Sequence, residues 1–241
     1  MLNISKKIIR YIKGYNFFIK DYYAYKKIGS DRFSIDWRDT MKCLYEKTPN
    51  TWFDTHYIYH PAWAMRCILD YKPAFHIDIS STLHFCSNLS AFIPVKFYDY
   101  RPAILNLSNL TSDFADLNNL PFENNSVQSI SCMHTIEHIG LGRYGDILDA
   151  DGDLKAIEEL KRVTAPNGNI IFVTPVGKPR IQFNAHRIYS FEQIQSYFGD
   201  KYVLKDFSLV TDDGKFINNA NSAMVAEQSY GCGCFWFTKK V

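Results

Sequence analysis

The apolar positions of this chain change period near residue 74. Before it they recur three or four apart. Ile8, Ile9, Ile12, Phe17, Phe18, Tyr22, Tyr23 and Tyr25 interleave with lysines, and Trp37, Met41, Leu44 and Tyr45 fall at i, i+4, i+7 and i+8. That spacing predicts one helix within residues 1–30 and a second over 34–47, opened by Ser34 and stopped by Pro49. Pro61 suits the first turn of a third helix, running to about Tyr71 and closed by Lys72-Pro73. From Ala74 short apolar runs alternate with helical ones. Phe75–Ile79, Val95–Tyr98, Val127–Met133, Asn169–Val176, Tyr202–Val210 and Cys232–Thr238 read as strands. Between them Leu83–Phe92 has helical spacing. Asp151 opens a helix with Leu154, Ile157, Leu160 and Val163 on one face, stopped by Pro166-Asn167-Gly168. Ser190 and Gln193 form a capping box for a helix through Phe198.

Strand alternating with helix is the pattern of a doubly wound α/β domain, here a mostly parallel sheet of about seven strands with flanking helices. The expected division is a helical N-terminal region over 1–73 and a sheet domain over 74–241. The 241 residues leave little room for more.

Composition sharpens the picture. Apolar residues make up 46% of the chain and charged ones 22%, enough for a substantial core. The net charge of +2 is too balanced for a dedicated nucleic-acid binder. It is unevenly spread. Residues 1–30 carry seven basic side chains against Asp21, a net +6, which leaves the remainder at −4. A basic, aromatic arm of this kind either packs on its own domain or a second copy with its lysines reaching to solvent, or meets an anionic lipid surface at its periphery. No run of about 18 uncharged apolar residues occurs, and lysines interrupt every candidate leader segment. The six cysteines lie mostly in apolar strings, as reduced core cysteines of a cytoplasmic protein do. No metal site is expected. Cys232-Gly233-Cys234 lacks a second pair, and no carboxylate motif separates His56 from His60.

In open α/β sheets ligands sit beyond the carboxyl ends of the strands. Asp78-Ile79-Ser80, Asp99-Tyr100, Asp116-Leu117 and Met133-His134 stand at such ends or follow them. Successive carboxylates there suit a ligand with hydroxyl and amino donors, such as an adenosine.

Several of these stretches resemble the class I S-adenosylmethionine-dependent methyltransferases. Asp116 to Ser126 carries that superfamily's D-x-x-x-L-P-F pattern, Ile130 to Ile139 its fourth strand with a following H-x-x-E-H, and Leu160 to Val173 its helix-to-strand-five passage. In detail the chain resembles an uncharacterised branch, a domain of unknown function associated with surface polysaccharides. Its marks are Asp99-Tyr100-Arg101-Pro102, the segment His138 to Asp146, Asn184 to Ser190 and Tyr230 to Trp236. The resemblance implies a Rossmann-like methyltransferase fold and S-adenosylmethionine held by Asp78, Ser80, Asp99, Tyr100, Asp116, Leu117, Met133 and His134. It also implies methyl transfer, O-methylation in our reading, to a small-molecule or glycan acceptor such as a sugar or polysaccharide precursor. His186 or His138 serves as base, with the other histidine or Glu137 orienting it. Arg143, Tyr144, Arg180 and Arg187 would bind the acceptor, the three arginines clamping a phosphate of an activated or lipid-linked sugar.

One departure divides the reading. The superfamily's first loop is acidic-x-Gly-x-Gly-x-Gly, whereas this chain has Asp78-Ile79-Ser80-Ser81-Thr82-Leu83-His84, without a glycine. Two functional classes follow: an enzyme that holds the cofactor in an altered pose, and a methyltransferase-like binding subunit that has lost it.

Overall fold

The period-2 segments form strands in the computed structural model of the chain, which describes residues 2–241. The chain divides into two compact units, one ending at Phe53 and the other running Asp54–Val241. The division falls earlier than the expected 73/74, because the helix before residue 74 packs on the sheet.

In the first unit the basic arm is a helix, α1 (Leu2–Ile28). Trp37 docks on Phe18 and Tyr22 at ring-centroid distances of 5.9 and 5.0 Å, and the Lys47 ammonium lies 3.3 Å from the Phe17 centroid. The helix expected over 34–47 does not form. Only Trp37–Asp39 makes a short 3-10 turn, in which Asp36 takes the Arg38 backbone N–H and its guanidinium. Side-chain bonds of this kind compete with helical ones. Tertiary contact with α1 then overrides the spacing. The backbone of Leu44 lies so near Gly14 that a Cβ there would collide with its carbonyl.

The second unit opens with α2 (Thr55–Tyr71). It starts six residues before Pro61, because the Asp54 carboxylate accepts the Tyr57 N–H and caps it. Then follow β1 (His76–Ile79), α3 (Leu83–Leu89), β2 (Val95–Asp99), β3 (Leu110–Phe114) and β4 (Val127–Met133). The chain continues through α4 (Gly152–Val163), β5 (Thr164–Val176), the short β6 (Arg180–Gln182) and β7 (His186–Ile188), and α5 (Phe191–Phe198). It closes with β8 (Tyr202–Val210), β9 (Phe216–Ile217), α6 (Ser222–Ala226) and β10 (Gly231–Lys239). The Ser190–Gln193 capping box is present. Asp151 stands at the start of α4 but makes no side-chain cap bond.

The main sheet has eight strands, in the order β3-β2-β1-β4-β5-β10-β8-β9. Neighbours from β3 to β5 run parallel, while β10 is antiparallel to both β5 and β8, and β9 is antiparallel to β8. The count exceeds seven by the two-residue β9. Period-2 alternation splits the core between two faces. On β5, Ile170 and Phe172 join the cluster under α4 and α5, while Ile171 and Val173 join Trp63, Ile68 and Phe85 under α2 and α3. Among the described residues no helix is long and apolar enough to cross a membrane.

On the α2 face a polar chain, buried except at its Tyr71 end, runs beneath β1. The Ser131 hydroxyl donates to Asp78, so its oxygen accepts from His76 Nε2 at 2.8 Å. His76 Nδ1 then accepts from Ser129 at 2.5 Å, and the Ser129 oxygen accepts from Tyr71 at 2.6 Å. Burial pushes the Asp78 carboxyl up to about 6, against the Ser131 and Ser81 donors, and burial pushes His76 down to about 3. The two shifts tilt stability in opposite directions. The raised Asp78 value favours the fold at low pH, a contribution lost as pH climbs from about 4 to about 6. The depressed His76 value favours the fold above 6.5, a contribution lost as pH falls toward about 3. Urea titrations at stepped pH should therefore show Asp78→Asn gaining stability over the parent as pH rises through that acid window, and His76→Asn losing it. Three parallel curves would mean that neither group titrates as assigned.

Candidate active site at the carboxyl edge of the sheet

Strand order reverses at β1 and β4, and the loops leaving those strands carry the chemistry. After β1, Ser80 adopts φ +56°, the left-handed conformation usually left to glycine. The loop thus has a glycine's backbone geometry without the glycine. Its amides are turned inward: Ser80 N–H donates to the Tyr98 carbonyl at 2.8 Å, and Ser81 N–H to Asp78 at 3.0 Å. The Ser81 hydroxyl receives the Met133 N–H and Thr82 caps α3, so side-chain oxygens knit β1 to its neighbours.

After β4, His134 also lies in the left-handed region, at φ +54°. It leads into a 3-10 turn, Ile136–His138. Glu137 is 1% exposed, and its Oε1 accepts from His134 Nδ1 at 2.9 Å. The same oxygen lies 3.8 Å from His138 Nε2, too far for a hydrogen bond. The His138 orientation is set instead by its Nδ1–H, donated to the Ala185 carbonyl at 2.6 Å. Glu137 therefore orients His134, not the histidine expected from the sequence.

Two adjoining cavities share Ser80, His134, His138 and Tyr144. The larger, about 500 Å³, is lined by Asp99, Tyr100, Asp116 and Leu117, with Ile139 and Ile147 as apolar wall. One oxygen of Asp99 accepts the Arg101 N–H at 2.6 Å and one of Asp116 the Asn118 N–H at 2.9 Å. The loops thereby aim these carboxylates without consuming them. The other cavity, about 440 Å³, holds Met133, Glu137, Arg143 and His186 together with Tyr57 and Tyr230. His186 stacks on Tyr230 at 4.8 Å, and its Nε2–H donates to Gln182 Oε1 at 2.7 Å. Burial lowers its pKa, against the opposing pull of the Glu137 carboxylate and aided by the Arg143 guanidinium, so the neutral imidazole prevails at pH 7. Asp78 lines neither cavity; it is tied down beneath the loop.

The arginines separate. Arg143 faces the smaller cavity, its guanidinium 3.1 Å from the Ala185 carbonyl. Arg187 is buried and braces the loop from 139 to 150, donating to Ile139 at 2.6 Å and to Asp149 and Ala150 at 3.2 Å, with Asp153 at 3.5 Å. Arg180 bonds Lys178 and Ser229 in a separate groove. No three-arginine clamp is assembled. Instead the guanidinium of Arg101, not singled out from the sequence for this role, lies 4.8 Å from the Tyr144 ring centroid, and that of Arg143 5.0 Å from it. The loop is anchored by Asp146, which accepts from the Gly140, Gly142 and Tyr144 amides. Burial would raise that carboxyl, but these donors hold it below its ordinary value. Gly140 is at φ +79°, where a Cβ would strike the Asp149 carbonyl.

The adenosine part of S-adenosylmethionine fits the larger cavity in size and donor–acceptor character. The first loop does not present the Ser80 and Ser81 amides to it, and of that loop Ser80 lines it.

The solved structures to which the chain is similar share the fold. YcgJ of Bacillus subtilis is 13% identical, with a TM-score of 0.52 over 75% of this chain and 99% of its own. A SAM-dependent methyltransferase of Thermotoga maritima is 12% identical, with a TM-score of 0.51 over 77% of this chain and 92% of its own. The [4+2]-cyclase SpnF is 14% identical, with a TM-score of 0.50 over 75% and 80%. At such identities the likeness is one of fold, the Rossmann-like methyltransferase fold. No curated protein matches the sequence. Residues 100–223 match the family described as "Caenorhabditis protein of unknown function, DUF268". That span is just over half of the chain and holds most of both cavity linings, and the chain belongs to that family.

Proposed function

We propose that the protein is an S-adenosylmethionine-dependent methyltransferase whose acceptor enters the histidine-lined cavity. The observation that carries this reading is the pairing of the Asp99–Asp116 cavity with a second, polar one through the shared wall of Ser80, His134, His138 and Tyr144. When bound, the cofactor would supply an electrophilic methyl group. This chain's own residues would then do three things. Asp99 accepts from the ribose diol and Asp116 from the adenine amine. Arg143 and Tyr144 orient the acceptor at the junction of the cavities. His186, neutral at pH 7, takes the acceptor hydroxyl proton. The Tyr57 and Tyr230 rings beside charged groups suit a polyhydroxylated acceptor with one apolar face, and this supports a sugar or polysaccharide precursor.

A second reading rests on the inward-turned amides of Ser80 and Ser81, which suit a methyltransferase-like binding subunit without cofactor. Calorimetry with S-adenosylmethionine and S-adenosylhomocysteine decides between them. Binding is expected, weakened by about 1–3 kcal/mol in Asp99→Ala through loss of charge-assisted bonds. No heat with either compound favours the binding subunit, and unchanged affinity in Asp99→Ala removes that residue from the site.

His186→Ala should lower turnover by about 10²–10⁴-fold while leaving cofactor affinity intact, since His186 lines only the acceptor cavity. His138→Ala should disturb both, since His138 lines the two cavities. Release of S-adenosylhomocysteine against a panel of nucleotide-linked sugars measures the first effect. Full activity in His186→Ala returns the proton to another group.

A further inference from the structure

Behind the acceptor cavity three segments remote in sequence converge. His56 comes from the first turn of α2, His134 from the loop after β4, and Cys232 from the start of β10. One ligand atom from each lies within 4.8 Å of the other two. His134 and Cys232 are buried and His56 is half-buried.

The hydrogen bonding around this group fixes what each ring has to offer. The Glu137 carboxylate accepts from His134 Nδ1, so Nε2 carries the lone pair; it is buried and has no partner among the described residues. A carboxylate that orients a histidine and leaves its far nitrogen free is the usual outer shell of a metal-bound imidazole. His60 repeats the pattern one turn along α2. Its Nδ1–H is donated to the His56 carbonyl at 2.6 Å, and its buried Nε2 is also unpartnered. The His60 ring stands edge-on to His134 at 5.0 Å. Of these two buried lone pairs, that of His134 belongs to the three-residue group, and leaving it unmade is costly unless a ligand engages it.

We propose that His56, His134 and Cys232 bind a divalent transition-metal ion of zinc type, with Glu137 as the positioning residue for His134. Two imidazoles and a thiolate suit a borderline-soft ion. Three protein ligands leave a fourth position for a solvent or exogenous ligand, and of the three His134 also lines the smaller cavity. Binding moves the Cys232 proton to solvent and leaves both histidines neutral, so the ion sees one protein charge. The site does not rest on methyl transfer and is tested without cofactor.

The experiment uses the full chain, stripped with chelator and titrated with Co²⁺ and with Zn²⁺. One equivalent of Co²⁺ should give a thiolate-to-metal charge-transfer band and the intense visible bands of a four-coordinate ion, both removed by Zn²⁺. Cys232→Ser should abolish the charge-transfer band, and His56→Asn should weaken binding by at least 10-fold. Glu137→Gln should weaken it by about 10- to 100-fold through the loosened His134. Cys234→Ser removes the neighbouring thiol, whose sulfur lies 3.9 Å from that of Cys232, and should leave the band in place. Because Cys232 is buried, thermal melts accompany each variant. Should Cys232→Ser not fold, the half-buried His56→Asn carries the test alone. Absence of a cobalt band in the folded parent overturns the site, as does a band that persists unchanged in His56→Asn.

Discussion

A carboxylate removed from water must be given donors, and the carboxyl edge of this sheet is arranged around Glu137. With 1% of its surface exposed, Glu137 cannot rely on solvent, and the cost of burying an unpaired charge runs to several kcal/mol. The chain meets this demand locally at Oε1, which takes the His134 N–H, while Oε2 has no hydrogen-bond partner among the described residues. His134 sits three residues before it in a left-handed backbone that brings the ring back over the 3-10 turn. Once His134 is fixed, the rings around it are constrained: His56 stacks on it at 5.7 Å, Tyr57 at 5.3 Å, and His60 meets it edge-on. The wall shared by the two cavities is therefore a consequence of one buried charge.

The loop after β1 solves a related problem by other means. A glycine loop leaves bare amides for a ligand, and the Ser80-Ser81-Thr82 loop spends hydroxyls on its own neighbours. Ser80 keeps the left-handed turn at a cost of roughly 1–2 kcal/mol. Three bonds oppose that cost: its N–H to Tyr98, Thr135 to its carbonyl at 3.0 Å, and the Met133 N–H to the Ser81 hydroxyl at 3.1 Å. The outcome is a stiffer loop whose ligand-facing chemistry is side chain rather than backbone.

Much of the architecture was legible because it depends on short-range pattern. Strands β4 and β5 read as apolar runs, the Ser190 box capped its helix, and the strand-end aspartates Asp99 and Asp116 face one cavity, as topology required. The failures came where distant contacts decided. Helical spacing over 34–47 lost to Trp37 docking on α1. Pro61 suggested a helix start, yet Asp54, a stronger cap, lay seven residues earlier. Arg180 and Arg187 looked equivalent to Arg143 in sequence. Only the fold shows that one lies in another groove and one braces a backbone. Asp78 looked like its fellow strand-end acids, but Ser131 and Ser81 hold it inward.

The histidines carry the same argument further. His56 and His60 at i, i+4 spacing, and Cys232 beside Cys234, each looked like core residues when read alone, because no local motif completes either pair. Their significance lies in a separation of 176 residues between His56 and Cys232, which the α2–β10 packing closes. A ligand set drawn from three remote segments leaves no spacing signature, and only orphaned lone pairs in the folded chain reveal it. His134 thus has two places at once, in the wall shared by the two cavities and in the nitrogen–sulfur cluster behind it. A charge placed on that cluster would act across one imidazole on whatever occupies the cavity. The cavity wall and the cluster are thus joined through a single ring, and through the carboxylate that holds it.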